Sequence, residues 1–121
     1  MNDKTATARV ILDQIGGREF LMMTGAKNLV ADGNTLRMTL PRNNSQANRL
    51  WINLNEADDL YTMRFFRQTG GTFDAKKLEL RPIKTKEIYK VDSVFWDQMA
   101  DIFTRITGMD TRLPRIVGIN A

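Results

Sequence analysis

The sequence predicts an α+β fold, in which an antiparallel sheet of four to six strands carries an N-terminal and a C-terminal helix packed on one face. Apolar and polar residues alternate repeatedly between residues 27 and 91, as in strands with one buried face. An apolar stripe with helical spacing lies on each side of this region, over residues 5–15 and 94–107. Amphipathic helices that cover one face of a sheet form a stable two-layer arrangement.

Each predicted helix is defined by its apolar stripe and by the glycine that ends it. In the first helix, residues spaced i, i+3, i+4 and i+7 form the stripe, and Gly16-Gly17 follows: Ala8, Ile11, Leu12 and Ile15. In the second, the stripe precedes Gly108 and comprises Phe95, Met99, Ile102, Phe103 and Ile106. The short apolar run 20–23 fits either a strand or a buried helix.

Turn residues separate the predicted strands. Asp32-Gly33 is a strong hairpin signal, because Gly accepts the positive φ that a type I′ turn requires. Pro82 kinks or ends the strand before it, since proline cannot donate to a sheet ladder. The predicted strands are 27–31, 35–40, 49–53, 60–67, 77–81 and 86–91.

The chain length and the missing residue types limit the function. We expect a single domain over residues 1–121, in which residues 111–121 lack a clear period and form a flexible C-terminal arm. The sequence has no Cys and no His, which removes thiolate chemistry and the commonest metal ligand. We therefore expect no catalytic site, no bound metal and no cofactor.

The same features suggest where the protein acts. A small secreted domain commonly relies on disulfides, and this chain has none. No apolar run approaches the roughly 18 residues of a membrane span, and residues 1–5 are not followed by the apolar core of a signal peptide. We expect a cytoplasmic protein without membrane association.

Basic residues concentrate in the predicted sheet. Residues 27–90 carry twelve Lys and Arg against seven Asp and Glu. If the aliphatic side of each strand faces the core, the other side combines cations with an aromatic ring, as in surfaces that bind single-stranded nucleic acid. The candidate nucleic-acid-binding residues are Arg37, Arg49, Trp51, Arg64, Lys77 and Arg81. Two alternatives stay open: any half-exposed sheet has a polar outer face, and Trp51 could pack under a helix.

Large apolar residues exceed what one side of one small sheet can obviously hide. The group comprises Tyr61, Met63, Phe65, Phe66 and Trp96. Phe65 and Phe66 are adjacent in a strand, so they must face opposite ways. Large exposed apolar patches usually mark an interface, and we therefore expect a homodimer.

Four stretches support a resemblance to a known group of proteins: Ile15–Leu29, Asn34–Arg42, Leu60–Arg64 and Ile102–Met109. In these stretches the chain resembles small, largely uncharacterised proteins encoded by tailed bacteriophages and related mobile elements. The resemblance implies an origin and a location in the host cell cytoplasm, but no activity. The segment 68–87 departs from the group by being longer and more basic. The order of strands followed by a helix is also similar to dimeric coactivator-type and Whirly-type single-stranded DNA-binding folds.

Two functions follow as expectations. The first is binding of nucleic acid, with single-stranded DNA favoured and without sequence specificity. The alternative is a phage-encoded inhibitor that binds and disables a host protein of defence or transcription, with Asp97, Asp101 and Asp110 imitating nucleic acid. Asp97 and Asp101 are also spaced to share a divalent cation, but an i, i+4 pair of Asp101 with Arg105 on a solvated face explains them better.

Overall fold

The computed structural model describes residues 5–112, which form one five-stranded antiparallel sheet, a small two-stranded hairpin and three helices. This arrangement confirms the predicted α+β class. The elements in chain order are α1 (Ala6–Ile15), α2 (Gly17–Thr24), β1 (Lys27–Asp32), β2 (Thr35–Thr39), β3 (Arg49–Asn55), β4 (Leu60–Thr69), β5 (Phe73–Asp74), β6 (Glu79–Leu80), β7 (Lys84–Val94) and α3 (Met99–Thr107). Of the C-terminal arm expected at 111–121, only residues 111 and 112 lie within the described part of the chain.

The main sheet is a meander with the order β1-β2-β3-β4-β7. The first hairpin lies where the sequence predicts it, but its loop is one residue later. Asp32 pairs with Thr35, so the loop is Gly33-Asn34. Gly33 has a φ of 58°, and Asn34 is not among the residues with positive φ. This pattern is typical of a type II′ turn, which needs Gly at the first loop position only.

All three helices pack on one face of the sheet around a single apolar core. Phe103 of α3 lies at its centre, with ring-centroid distances of 5.0 Å to Phe20 and 6.2 Å to Phe65. Sheet residues in this core include Leu36, Met38, Leu50, Ile52, Tyr61, Met63, Phe65 and Val94. Helical residues include Ala8, Ile11, Ile15, Phe20, Met99 and Phe103. The opposite face of the sheet carries no helix among residues 5–112.

The apolar run 20–23 belongs to a helix, which settles the ambiguity left by the sequence. Gly16 separates α1 from α2 with a φ of 141°, a region that L side chains rarely adopt. A Cβ atom at this position would lie 2.9 Å from Cβ of Phe20. Gly16 therefore turns the chain so closely that Phe20 can enter the core.

The predicted start of the C-terminal helix at residue 94 is wrong. Strand β7 continues to Val94, which pairs with Tyr61 and is buried. The helix begins only at Met99, and the Gln98 side chain accepts a hydrogen bond from the backbone N–H of Phe95. Phe95 is consequently 53% exposed and does not belong to the buried stripe. Sheet pairing at Val94 outweighs the helical periodicity of the segment.

The large apolar side chains of β4 are buried within one chain. Tyr61, Met63 and Phe65 face the helices, whereas Phe66 faces the other way and is still only 6% exposed. The exposed aromatic side chains near α3 are Phe95 and Trp96 instead. The exposed apolar side chains that would favour a homodimer are therefore at residues 95–96 and not at residues 60–66.

Strands β4 and β7 continue beyond the sheet as a two-stranded arm, residues 70–83. Hydrogen bonds between residue 71 and residue 81, and between residue 81 and residue 72, extend the pairing of β4 and β7 into the β5–β6 hairpin. The arm exposes apolar side chains: Phe73, Leu78, Leu80 and Ile83. It also carries Lys77 and Arg81. None of the helices within residues 5–112 is long and apolar enough to cross a bilayer.

Candidate nucleic-acid interface

The sheet face opposite the helices, which we call the open face, carries a row of cations around one tryptophan. Arg37 of β2 pairs with Trp51 of β3, Trp51 pairs with Arg64 of β4, and Arg64 pairs with Lys90 of β7. Directly paired residues share a face and lie in neighbouring strands about 4.8 Å apart. The register therefore places one aromatic ring and three cations in a line across four strands.

Trp51 is fixed in this row by two neighbours. The Arg37 guanidinium carbon lies 4.1 Å from the centre of the indole ring, a cation–π contact. Phe66 meets the indole edge-on, at 5.2 Å between centroids and 84° between planes. Trp51 is half-buried on the open face, where no helix of residues 5–112 covers it, so none of the described helices fulfils the alternative in which it packs under a helix. Arg37 Nε is buried without a hydrogen-bond partner among residues 5–112, as its position over the ring implies.

Two of the cations are paired with carboxylates in the structure. Arg37 bonds to Asp32, and Arg64 Nε lies 2.9 Å from Glu87 Oε1. All four side chains are between 38% and 55% exposed, so each ion pair contributes only about 0–1 kcal/mol and can be exchanged for a phosphate. Arg49 has no carboxylate partner among residues 5–112, and its Nη1 donates to the carbonyl of residue 48.

A ladder of side-chain hydrogen bonds runs across the sheet beside the cation row. Thr35 donates to Asn53 Oδ1 over 2.8 Å, and Asn53 Nδ2 donates to Asn55 Oδ1 over 3.2 Å. Asn55 Nδ2 donates to Thr62 over 3.1 Å, and Thr62 donates to Asp92 Oδ1 over 3.0 Å. Every donor in this polar ladder points towards Asp92. The ladder therefore ends on a carboxylate at the β7 edge.

Two depressions on the open face adjoin Trp51. The larger groove, of about 470 Å³, lies between the cation row and the polar ladder. It is lined by Thr35, Trp51, Asn53, Asn55, Thr62, Arg64, Lys90 and Asp92. The smaller one, of about 130 Å³, is lined by Trp51, Arg64, Phe66, Thr85 and Glu87. The Trp51 ring and the Arg64 cation thus line both depressions, and the larger one also has the amide side chains of Asn53 and Asn55.

The structure brings together four of the six residues that the sequence suggested. Arg37, Arg49, Trp51 and Arg64 lie on the open face. Lys77 and Arg81 do not, because their segment leaves the sheet as the arm, where Arg81 lies 3.8 Å from Asp74. The predicted place of Lys77 and Arg81 on the sheet face is therefore wrong.

Sequence reasoning missed Lys90, Phe66 and the polar ladder. Lys90 falls in a predicted strand, but two register shifts between β4 and β7 hide which of its residues face outward. The ladder joins residues that are up to 30 positions apart in the sequence, so no local sequence pattern predicts it. Alternation shows that Phe65 and Phe66 face opposite ways, but it does not show which of the two faces the core.

No protein family, curated protein or solved structure matches this chain. The interpretation of the open face therefore depends on its own chemistry.

The acidic residues near α3 form a surface of mixed charge. Asp101 and Asp110 line a groove of about 440 Å³ together with Arg105 and Arg112. Within residues 5–112, acidic side chains do not gather into any group of three that would hold a metal ion. A shifted pKa occurs in the core instead: burial, with a smaller effect from the charge of Asp59, raises the pKa of Tyr61 above its ordinary value of 10.0.

Proposed function

We propose that this protein binds single-stranded nucleic acid on its open face, with single-stranded DNA favoured and with backbone contacts that do not depend on sequence. The observation that carries the proposal is the row in which Trp51 lies between Arg37 and Arg64, with Lys90 beyond. Proteins that bind single strands combine a basic surface along the phosphates with rings on which bases stack.

The shape of the open face favours a single strand over a duplex. Trp51 is half-buried and sits in a sheet face without helices among the described residues, so its ring is reachable only by a base that is not paired and stacked inside a double helix. The ion pairs of Arg37 and Arg64 are exposed, so phosphate oxygens can replace their carboxylates at small cost.

Fluorescence titration tests this proposal directly. Trp96 is replaced by Phe so that Trp51 is the one remaining tryptophan, and oligo-dT is added at low salt. We expect quenching of Trp51 as bases stack on it, with no change in the far-ultraviolet spectrum. A Trp51 signal that no oligonucleotide alters, in a folded protein, would contradict the proposal.

We also propose that the protein forms a homodimer. Phe95 and Trp96 lie side by side before α3 and are 53% and 59% exposed, which favours a partner surface there. Light scattering at tens of micromolar measures the mass, and the double change of Phe95 and Trp96 to Ser should shift a dimer to a monomer. A monomeric mass for the unchanged protein would refute the dimer.

The resemblance to proteins of tailed phages leads us to propose the cytoplasm of an infected host cell as the place of action. The alternative function, inhibition of a host protein by an acidic surface, is less favoured. Asp101 and Asp110 share their groove with Arg105 and Arg112, so the negative field that imitation of nucleic acid requires is largely compensated.

A further inference from the structure

We propose that the groove of about 470 Å³ beside Trp51 is a guanine-selective subsite for one base of the bound strand. This inference rests on the proposed function, because it assigns base recognition to the same open face. It goes beyond that function, since backbone contact and stacking alone read no sequence.

The geometry suits one planar base. Trp51 lies on β3 and Asp92 on β7, on either side of β4, so roughly 10 Å separates their strands. A base that stacks on the Trp51 ring can extend its hydrogen-bonding edge over β4 towards Asp92. Arg64 and Lys90, which follow Trp51 in the cation row, line the same groove.

The chemistry of the groove selects among the four bases. A carboxylate such as that of Asp92 only accepts hydrogen bonds, whereas Arg64 and Lys90 only donate them. Guanine offers two adjacent donors, N1–H and the N2 amino group, next to the acceptor O6 on the same edge. This edge matches a carboxylate beside a cation. Thymine offers a single N3–H between two carbonyl oxygens, which a carboxylate repels. Adenine and cytosine each offer one amino group, so they should bind with intermediate strength.

The polar ladder holds the carboxylate in place. Thr62 donates to Asp92 Oδ1, and the bonds from Thr35 through Asn53 and Asn55 all point in the same direction. A chain of hydrogen bonds that run one way polarises its members and restrains their rotamers. Oδ1 of Asp92 is thereby oriented before any base arrives, and Oδ2 has no hydrogen-bond partner among residues 5–112.

Binding of four oligonucleotides tests the subsite. Each is a dT strand in which one central position is G, A, C or T, so that quadruplex formation is avoided. We expect the strand with G to bind about tenfold more tightly than all-dT, at the low end of what a bidentate base contact supplies, because Asp92 is exposed. Inosine, which lacks the N2 amino group, should lose most of this advantage.

Asp92→Asn removes the charge but keeps an oxygen for Thr62. In this variant we expect the preference for G to disappear while all-dT binds at least as tightly. Asp97→Asn makes the same charge change outside the open face and should leave the preference intact. A preference for G that survives Asp92→Asn overturns the inference. Equal binding of all four strands by the unchanged protein overturns the subsite and leaves the proposed function standing, whereas binding of none overturns both.

Discussion

At the scale of single residues, Trp51 connects stability to the proposed activity. Its ring packs on Phe66, its face lies against the Arg37 guanidinium, and it adjoins both depressions of the open face. If a base stacks on Trp51 as proposed, these contacts already hold the ring in one orientation. A ring that is fixed before binding loses less conformational entropy when the base arrives.

The change Trp51→Ala should weaken binding of oligo-dT by about 1–3 kcal/mol through lost stacking. The slope of affinity against salt should stay nearly constant, because no phosphate contact is removed. Loss of the edge-on contact with Phe66 should also lower the free energy of unfolding by about 0.5–1.5 kcal/mol. Trp51→Phe is the matched control, since it keeps a ring and should retain most of both quantities. Equal binding by the Ala variant, measured by anisotropy, would remove Trp51 from the site.

Tyr61 makes stability depend on pH under alkaline conditions. Burial raises its pKa above 10.0, and its hydroxyl donates to Gln14. In the window between 10.0 and the higher folded pKa, the unfolded chain releases this proton first, so the free energy of unfolding falls as pH rises. Below that window the group adds no pH dependence. Tyr61→Phe should be less stable at pH 8 yet lose less stability between pH 8 and 10.5, measured by urea unfolding. Parallel losses in both proteins would contradict this.

Sequence alone identifies most, but not all, residues of the open face. Arg37, Arg49, Trp51 and Arg64 are predictable because strict alternation places them opposite Leu36, Leu50 and their apolar neighbours. Lys90 is not predictable in this way, since irregularities in the pairing of β4 with β7 interrupt the alternation. The sequence also does not predict the carboxylates that pair with Arg37 and Arg64, because Asp32 and Glu87 become their neighbours only through the fold.

At the scale of elements, the two-stranded arm, residues 70–83, is separate from the core. Its exposed apolar side chains contribute nothing to the central cluster, whose buried members all lie outside residues 70–83. Its lysines, by contrast, extend the basic character of the sheet. We therefore expect the arm to matter for the proposed binding or assembly rather than for folding.

Replacement of residues 72–80 by an Asn-Gly turn should leave the melting temperature within a few degrees of the original, because no buried residue is removed. If the arm contacts nucleic acid, the loss of Lys76 and Lys77 should lower the salt slope by up to about two. Calorimetry gives the first quantity and titration at several salt concentrations gives the second. As a control, the double variant Lys76→Gln and Lys77→Gln keeps the full length of the arm but removes the same two charges. It therefore separates the effect of the charges from that of the length. A large fall in melting temperature would show that the arm supports the fold.

Local pattern predicts elements well where one face is buried and poorly where the chain changes direction. Helix α1 and strands β2 to β4 match their predictions closely, since each packs one apolar face against the same core. Helix α2 is ambiguous in sequence because it is short and its run 20–23 is apolar throughout. The start of α3 is misplaced because Val94 completes a sheet ladder, an interaction with Tyr61 that lies 33 positions away.

At the scale of the whole molecule, the open face is a balance of opposite charges. The cations Arg37, Arg49, Arg64 and Lys90 meet the carboxylates of Asp32, Glu87 and Asp92 on the same surface. On the proposed function, a phosphate backbone that binds here would displace carboxylates as well as release counterions. Affinity should be moderate at physiological salt and should depend on which cations are already paired.

Glu87→Gln should strengthen binding of oligo-dT, which is uncommon for a change within a binding surface. The substitution frees Arg64, 2.9 Å away, to contact phosphate, and it removes a repelling charge. Because one more phosphate can then be neutralised, the salt slope should rise by up to about one, and affinity at low salt should rise several-fold. Stability should hardly change, since exposed ion pairs contribute about 0–1 kcal/mol.

Arg49→Ala is the opposing variant. Arg49 has no carboxylate partner among residues 5–112, so its loss should lower the salt slope by about one without freeing any other charge. The two variants move the slope in opposite directions only if nucleic acid lies across the open face. If Glu87→Gln weakens binding, or if neither variant changes the slope, the strand lies elsewhere on the molecule. Titrations of both variants at four salt concentrations, with Asp97→Asn as a charge-matched control outside the open face, decide between these outcomes.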